Sequence, residues 1–186
     1  MNIALPQTYL IGLCSLLLVI AILVGRQLLR VRQDEMKLIK LEKAKVGCSK
    51  DASQLYELAS IQLKKRLYPQ AISTLNEACK QLDSNEPIEA KALIENALGF
   101  ALAAENDFKS AINHYKKALK AKKDYPVALN NLAFSYQKIK QDKAAYDTYK
   151  EVLSMDPNNQ TATVQIKKIE NRTNLKTQEI DEQKGF

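Results

Sequence analysis

Apolar and polar positions divide this chain into two regimes. No side chain from Met1 to Gly25 is charged, and Thr8 to Gly25 reads TYLIGLCSLLLVIAILVG, a nearly unbroken apolar run of eighteen residues. As a helix it covers ~27 Å, close to the ~30 Å hydrocarbon core of a bilayer, and Tyr9 stands where an interfacial aromatic would sit. The run is long for a secretory leader, carries no Lys or Arg ahead of it and has no small-residue cleavage site behind it, so residues 1–25 are expected to hold a retained single membrane span. Beyond Gly25 the pattern changes at once. Arg26, Arg30 and Arg32 follow, with Lys37, Lys40, Lys43 and Lys45 behind them, a topology signal that keeps the C-terminal part on the positive-inside face. Residues 26–45 contain neither Gly nor Pro, so the helix is expected to continue as a basic stalk to Gly47, within a juxtamembrane segment 26–51.

From residue 52 the apolar positions take helical spacing, and the spacing itself repeats. Blocks 52–85, 92–125 and 126–159 align at a period of 34. Each carries a large residue followed by a small one: Leu58-Ala59, Leu98-Gly99 and Leu132-Ala133. Ala71, Ala111 and Ala145 follow in a second helix, then Leu75, Tyr115 and Tyr149, then Ala78, Ala118 and Val152. Small residues on facing stripes let two backbones approach while large ones fill the gaps. This period and pattern resemble the tetratricopeptide helix-turn-helix unit. One hairpin cannot bury its apolar face alone, so the hairpins are expected to stack. The predicted class is therefore all-α: an N-terminal transmembrane helix, an α-solenoid of three tetratricopeptide repeats over 52–159, and a capping helix over 160–175.

Punctuation fits that division. Pro69, Pro87 and Pro126 open helices, Pro157 closes the third repeat, and Asp51 with Gln54 resembles a capping box. Ala162, Ile166 and Ile169 give the capping helix its apolar stripe, and 176–186 is a polar tail, expected to be disordered. Residues 86–91 are a six-residue insertion, read as an extra turn at the start of the fourth helix. Glu95 stands where a large apolar residue is usual and Gln62 where an aromatic is, so the repeat pattern is matched less well at those interfaces.

Composition narrows the chemistry. At 186 residues the chain holds one ordinary domain plus an appendage, and 46% apolar content with only five Gly and five Pro argues against disorder and against an all-β fold. The net charge of +7 is not a nucleic-acid footprint, because residues 52–159 carry fifteen Lys/Arg against thirteen Asp/Glu while 1–51 carry eight against four. Cys14, Cys48 and Cys79 are too few and too scattered for a disulfide framework or paired zinc ligands, and Cys79 reads as a buried structural thiol. His114 has no Cys, Asp or Ser at the spacing of a metal site or a nucleophile-base pair. No catalytic, cofactor, metal or small-molecule site is expected. Lys116, Lys117, Lys120, Lys122 and Lys123 read as a solvated basic face suited to a helix C-terminus, the alternative being a dock for an acidic partner or lipid headgroups.

Repeat arrays bind through the face lined by their first helices. Here that face takes Tyr56, Ser60 and Lys64, then Asn96, Phe100 and Ala103, then Asn130, Asn131, Phe134 and Lys138. Asn side chains suit the backbone of an extended peptide and the Phe rings suit apolar contact, although both rings would equally serve as packing between repeats. Where chaperone-binding relatives of the repeat carry a carboxylate clamp of Lys, Asn and Arg, this chain has Tyr56, Ser60, Ala97, Val127 and Asn131, and only Asn131 fits.

Taken end to end, the chain resembles the membrane-anchored tetratricopeptide photosystem I assembly proteins of red-algal-type plastids and cyanobacteria. The resemblance is carried by Leu5-Pro6, Tyr9-Leu10-Ile11, Gly25-Arg26-Gln27, Arg30-Val31-Arg32 with Asp34-Glu35, Tyr56-Glu57-Leu58, Ala97-Leu98-Gly99-Phe100-Ala101 and Ala128-Leu129-Asn130-Asn131-Leu132. It implies a single-pass protein of the thylakoid membrane with its repeats in the stroma or cytoplasm. It further implies photosystem I subunits or assembly intermediates as partners. The alternative is a membrane-anchored adaptor or receptor for targeting peptides, unrelated to photosynthesis.

Overall fold

The computed structural model describes residues 4–44, 51–82 and 87–173, and every regular element among them is an α-helix. Two compact units emerge, Met1–Cys48 and Ser49–Phe186. The first is α1 (Ala4–Ala44), one helix of 41 residues that runs without a break past Arg26, Arg30 and Arg32. Within it Tyr9–Arg30 has a mean hydropathy of 2.3, enough in length and composition to cross a membrane. Gly47, the expected end of the stalk, lies outside the described residues, as do Asp83-Ser84-Asn85 and the tail from residue 174.

The second unit is a row of helical hairpins: α2 (Ala52–Lys64) with α3 (Tyr68–Gln81), α4 (Ile88–Ala104) with α5 (Phe108–Ala121), and α6 (Pro126–Lys138) with α7 (Asp142–Met155). The helix α8 (Gln160–Thr173) closes the row. Each helix packs on its neighbours in sequence, and α4 also touches both α2 and α6, which places the three along one side. All eleven residues expected to pack the repeats are buried: Leu58, Ala59, Ala71, Ala78, Leu98, Gly99, Ala111, Ala118, Leu132, Ala133 and Ala145. The small ones do what their size permits. At Gly99 an added Cβ would lie 2.7 Å from Cε1 of the buried Tyr115 ring, so α4 and α5 approach there more closely than any side chain allows.

The turn inside each hairpin is the same device used three times. Arg66, Asn106 and Lys140 take left-handed backbone (φ 59°, 66° and 60°), and the next residue donates its N–H back to the helix. Leu67 bonds the Gln62 carbonyl, Asp107 that of Leu102, and Gln141 that of Tyr136, each at 2.9 Å. This is the Schellman closure, which satisfies carbonyls that the helix end would otherwise orphan. Starts are fixed too: the Asp51 carboxylate accepts from the Gln54 N–H at 2.8 Å and that of Asp107 from Ser110 at 3.1 Å, while Pro69 and Pro126 occupy first turns.

The hairpins are not identical. α4 has 17 residues against 13 in α2 and α6, so Ile88–Lys91 forms one added turn. α8 seals the other end of the row, with Ala162 and Ile169 fully buried among Leu129, Ala133, Tyr149 and Val152. Arg172 of α8 pairs with Asp142 of α7.

Candidate functional site

The inner side of the row is built from α2, α4 and α6, and its centre is a chain of amides. Asn131 of α6 donates from Nδ2 to Oδ1 of Asn96 on α4 at 3.2 Å, and Asn96 donates from its own Nδ2 to the Tyr125 hydroxyl at 3.2 Å. Tyr125 precedes Pro126 at the start of α6 and is half-buried. Burial raises its phenol above the ordinary range, and the nearby Tyr56 hydroxyl adds to the rise while the bond to Asn96 opposes it. Tyr56, Asn96, Asn131 and Tyr125 therefore converge from three helices. Each amide has two donors and a two-lone-pair acceptor, so this ladder leaves one N–H on each Asn and the Asn131 Oδ1 for a ligand. That alternation of donors and acceptors matches the backbone of an extended peptide.

Apolar side chains border the amides. Phe100 is 45% and Phe134 43% exposed, so both rings reach solvent. Phe134 meets Phe108 edge-on with centroids 6.4 Å apart, and the Lys138 ammonium lies 5.1 Å from its ring centroid. Leu93 and Val127, exposed and on the same helical stripes, extend the surface, and a hollow of about 140 Å³ lined by Tyr56, Ala90 and Leu93 opens beside α2.

Other expected groove residues have different tasks. Ser60 spends its hydroxyl on the Tyr56 carbonyl of its own helix at 2.8 Å. Asn130 turns toward the α8 end, donating to Asn159 Oδ1 at 3.5 Å, and its own Oδ1 is buried with no partner among the described residues. Ala103 packs against the α5 cluster, and Lys64 is exposed. Of the positions that would form a carboxylate clamp, Ala97 is buried and none carries a positive charge.

A second polar cluster accounts for Glu95 and corrects the reading of His114. The Glu95 Oε2 lies 2.6 Å from Nδ1 of His114, which therefore does have a partner, across the α4–α5 contact and nineteen residues on. The pair is close to Cys79, whose thiol is pushed up to about 11, first by burial and then by the Glu95 charge. A thiol held protonated is a poor nucleophile, so the three groups do not assemble a nucleophile with its base. The lysine run is also more than a solvated face: Lys116 lies over the Tyr136 ring and Lys122 over Tyr125, each 5.7 Å from the centroid.

Sequence reading missed Tyr125 and Leu93, and named Val127 only as a position of the absent clamp. The signal for Leu93 and Val127 was the second position of the repeat blocks 92–125 and 126–159, apolar yet outside the packing stripe. Tyr125 sits in a connection, where helical periodicity gives no information.

Comparison with known proteins gives the family and agrees with the fold. A tetratricopeptide repeat family model matches residues 102–166. The ycf37 protein of Guillardia theta is 30% identical over 174 residues, spanning 92% of this chain and 96% of its own length. The chain belongs to the ycf37 family. The chloroplastic tetratricopeptide protein PYG7 of Arabidopsis thaliana is also 30% identical over 174 residues, which make up 94% of this chain. This chain spans only 57% of that relative's length. Among solved structures, MamA superposes with a TM-score of 0.69 at 17% identity, covering 77% of this chain and 81% of its own. The first tetratricopeptide domain of RPAP3, bound to an HSP90 peptide, gives 0.61 at 21%, covering 67% and 94%. These two likenesses concern the fold. As a tetratricopeptide array of this family, the chain is a protein-interaction scaffold with plastid relatives.

Proposed function

We propose that this chain is a membrane-tethered scaffold that assists the assembly or stability of photosystem I at the thylakoid membrane. Its first helix is the tether, its repeats lie on the stromal or cytoplasmic side, and its partner is a photosystem I subunit or assembly intermediate. The observation that carries the reading is the Asn131–Asn96–Tyr125 ladder flanked by exposed Phe100 and Phe134. That surface is uncharged at its centre and apolar at its borders, and suits an extended segment of low charge better than a charged ligand. The chloroplastic relative and the apolar Tyr9–Arg30 segment support the compartment and the tether. The arginines after the span support the orientation through the positive-inside rule.

Deleting the gene and following photosystem I and photosystem II accumulation during greening or recovery tests the proposal. Photosystem I should fall or lag while photosystem II accumulates normally, and an Asn96→Ala/Asn131→Ala chain should restore it only in part. Equal accumulation of photosystem I with and without the gene would refute the assembly role.

A further inference from the structure

Two features are left unused by the groove: Ile88 and Lys91 of the added turn of α4, and Lys117 and Lys120 in the lysine run of α5. The fold brings them together. Ile88 and Lys91 from the added turn face Lys117, Lys120 and Ala121 of α5 across a cavity of about 540 Å³, with Glu95 in its wall. Residues 88, 91 and 95 lie on α4 roughly 140° around the helix from the groove stripe of 93, 96 and 100, so the cavity opens on another side of the array. Lys91, Lys117 and Lys120 are exposed, and none pairs with a carboxylate among the described residues. Ile88 is 62% exposed, an apolar wall in contact with water.

We propose that this cavity is a second binding site, for an acidic segment of a partner protein flanked by apolar residues. Three cations face one carboxylate, Glu95, which is itself held against His114, and this excess of positive charge favours an anion. Ile88 and Ala121 favour an apolar neighbour beside that anion. The volume falls within the roughly 300–1,000 Å³ typical of ligand pockets. Glu95 decides between anion types. It is buried and held against His114, so its carboxylate repels a doubly charged phosphate but accepts a backbone N–H. A peptide carboxylate, singly charged and accompanied by N–H groups, satisfies both features. The six-residue insertion thereby acquires a purpose, since without its added turn neither Ile88 nor Lys91 would face α5.

The test uses the full chain in neutral-detergent micelles and fluorescent hexapeptides of the form acetyl-Gly-Φ-Glu-Glu-Φ-Gly-amide, where Φ is Leu, Ile or Phe. Their Gln-Gln counterparts are the reference, and fluorescence anisotropy is the readout. The acidic peptides should bind at least tenfold more tightly than the Gln forms. Lys91→Gln/Lys117→Gln/Lys120→Gln should abolish that preference, whereas Lys109→Gln/Lys143→Gln/Lys168→Gln, equal in charge lost, should retain it. A preference that survives the cavity variant, that falls equally in both triple variants, or that never exists overturns the proposal. Short-chain phosphatidylglycerol binding in place of the peptides, and lost in the cavity variant, would assign the cavity to a lipid headgroup and overturn it equally.

Discussion

At the scale of single residues, the account rests on side chains whose size or polarity has one reason. Gly99 is the sharpest case, because its missing Cβ is where the Tyr115 ring sits, 2.7 Å from the position that atom would take. Gly99→Ala should cost about 1–3 kcal/mol through forced displacement of a buried ring, measured as a lower denaturation midpoint at unchanged m-value. The register that places Gly99 against α5 was legible in the sequence because large-small pairs recur at a fixed period. Glu95 was legible only as an exception. A carboxylate at an apolar position reads as a defect until its partner is known, and His114 lies on the next helix, beyond any periodicity within α4. Tyr125 was invisible for a related reason: its role is set by how two hairpins stack, which is tertiary information.

Among elements, the three hairpin turns carry the clearest expectation. Left-handed backbone is strained for residues with a Cβ, and most for β-branched ones. Lys140→Val should therefore destabilise the array by about 1–2 kcal/mol, while Lys140→Gly should be neutral or stabilising by less than about 1 kcal/mol. Thermal unfolding of the pair decides it, and equal midpoints would contradict the turn geometry. Helix α1 invites a separate test. Because Ser49–Phe186 forms its own compact unit, removing residues 1–45 should leave a folded, helical fragment that no longer sediments with membranes. A fragment that remains membrane-bound would show that α1 is not the sole attachment. Both the apolar run and the added turn of α4 were readable as local pattern, whereas the cavity that the turn helps form depends on its facing α5.

For the whole molecule, burial shapes the response to pH. Cys79 is raised from 9.0 to about 11, Tyr149 from 10.0 to about 12, and Tyr115 and Tyr125 are also raised, all chiefly by desolvation. Each group binds its proton more tightly folded than unfolded. Their contribution to stability is thus intact below about pH 9 and is lost as pH rises through the window from 9 to 12. Urea midpoints should match at neutral pH and about pH 8 and fall by about pH 10.5, with Cys79→Ala flattening the first part of the decline. The most direct test of the central claim is affinity purification of the tagged full chain from mildly solubilised native membranes, with mass spectrometry of what accompanies it. Photosystem I core subunits or their assembly intermediates should dominate, and Asn96→Ala/Asn131→Ala should reduce them severalfold without lowering the amount of the chain itself. A preparation dominated by unrelated precursors or chaperones, or one that the double substitution leaves unchanged, would contradict the account.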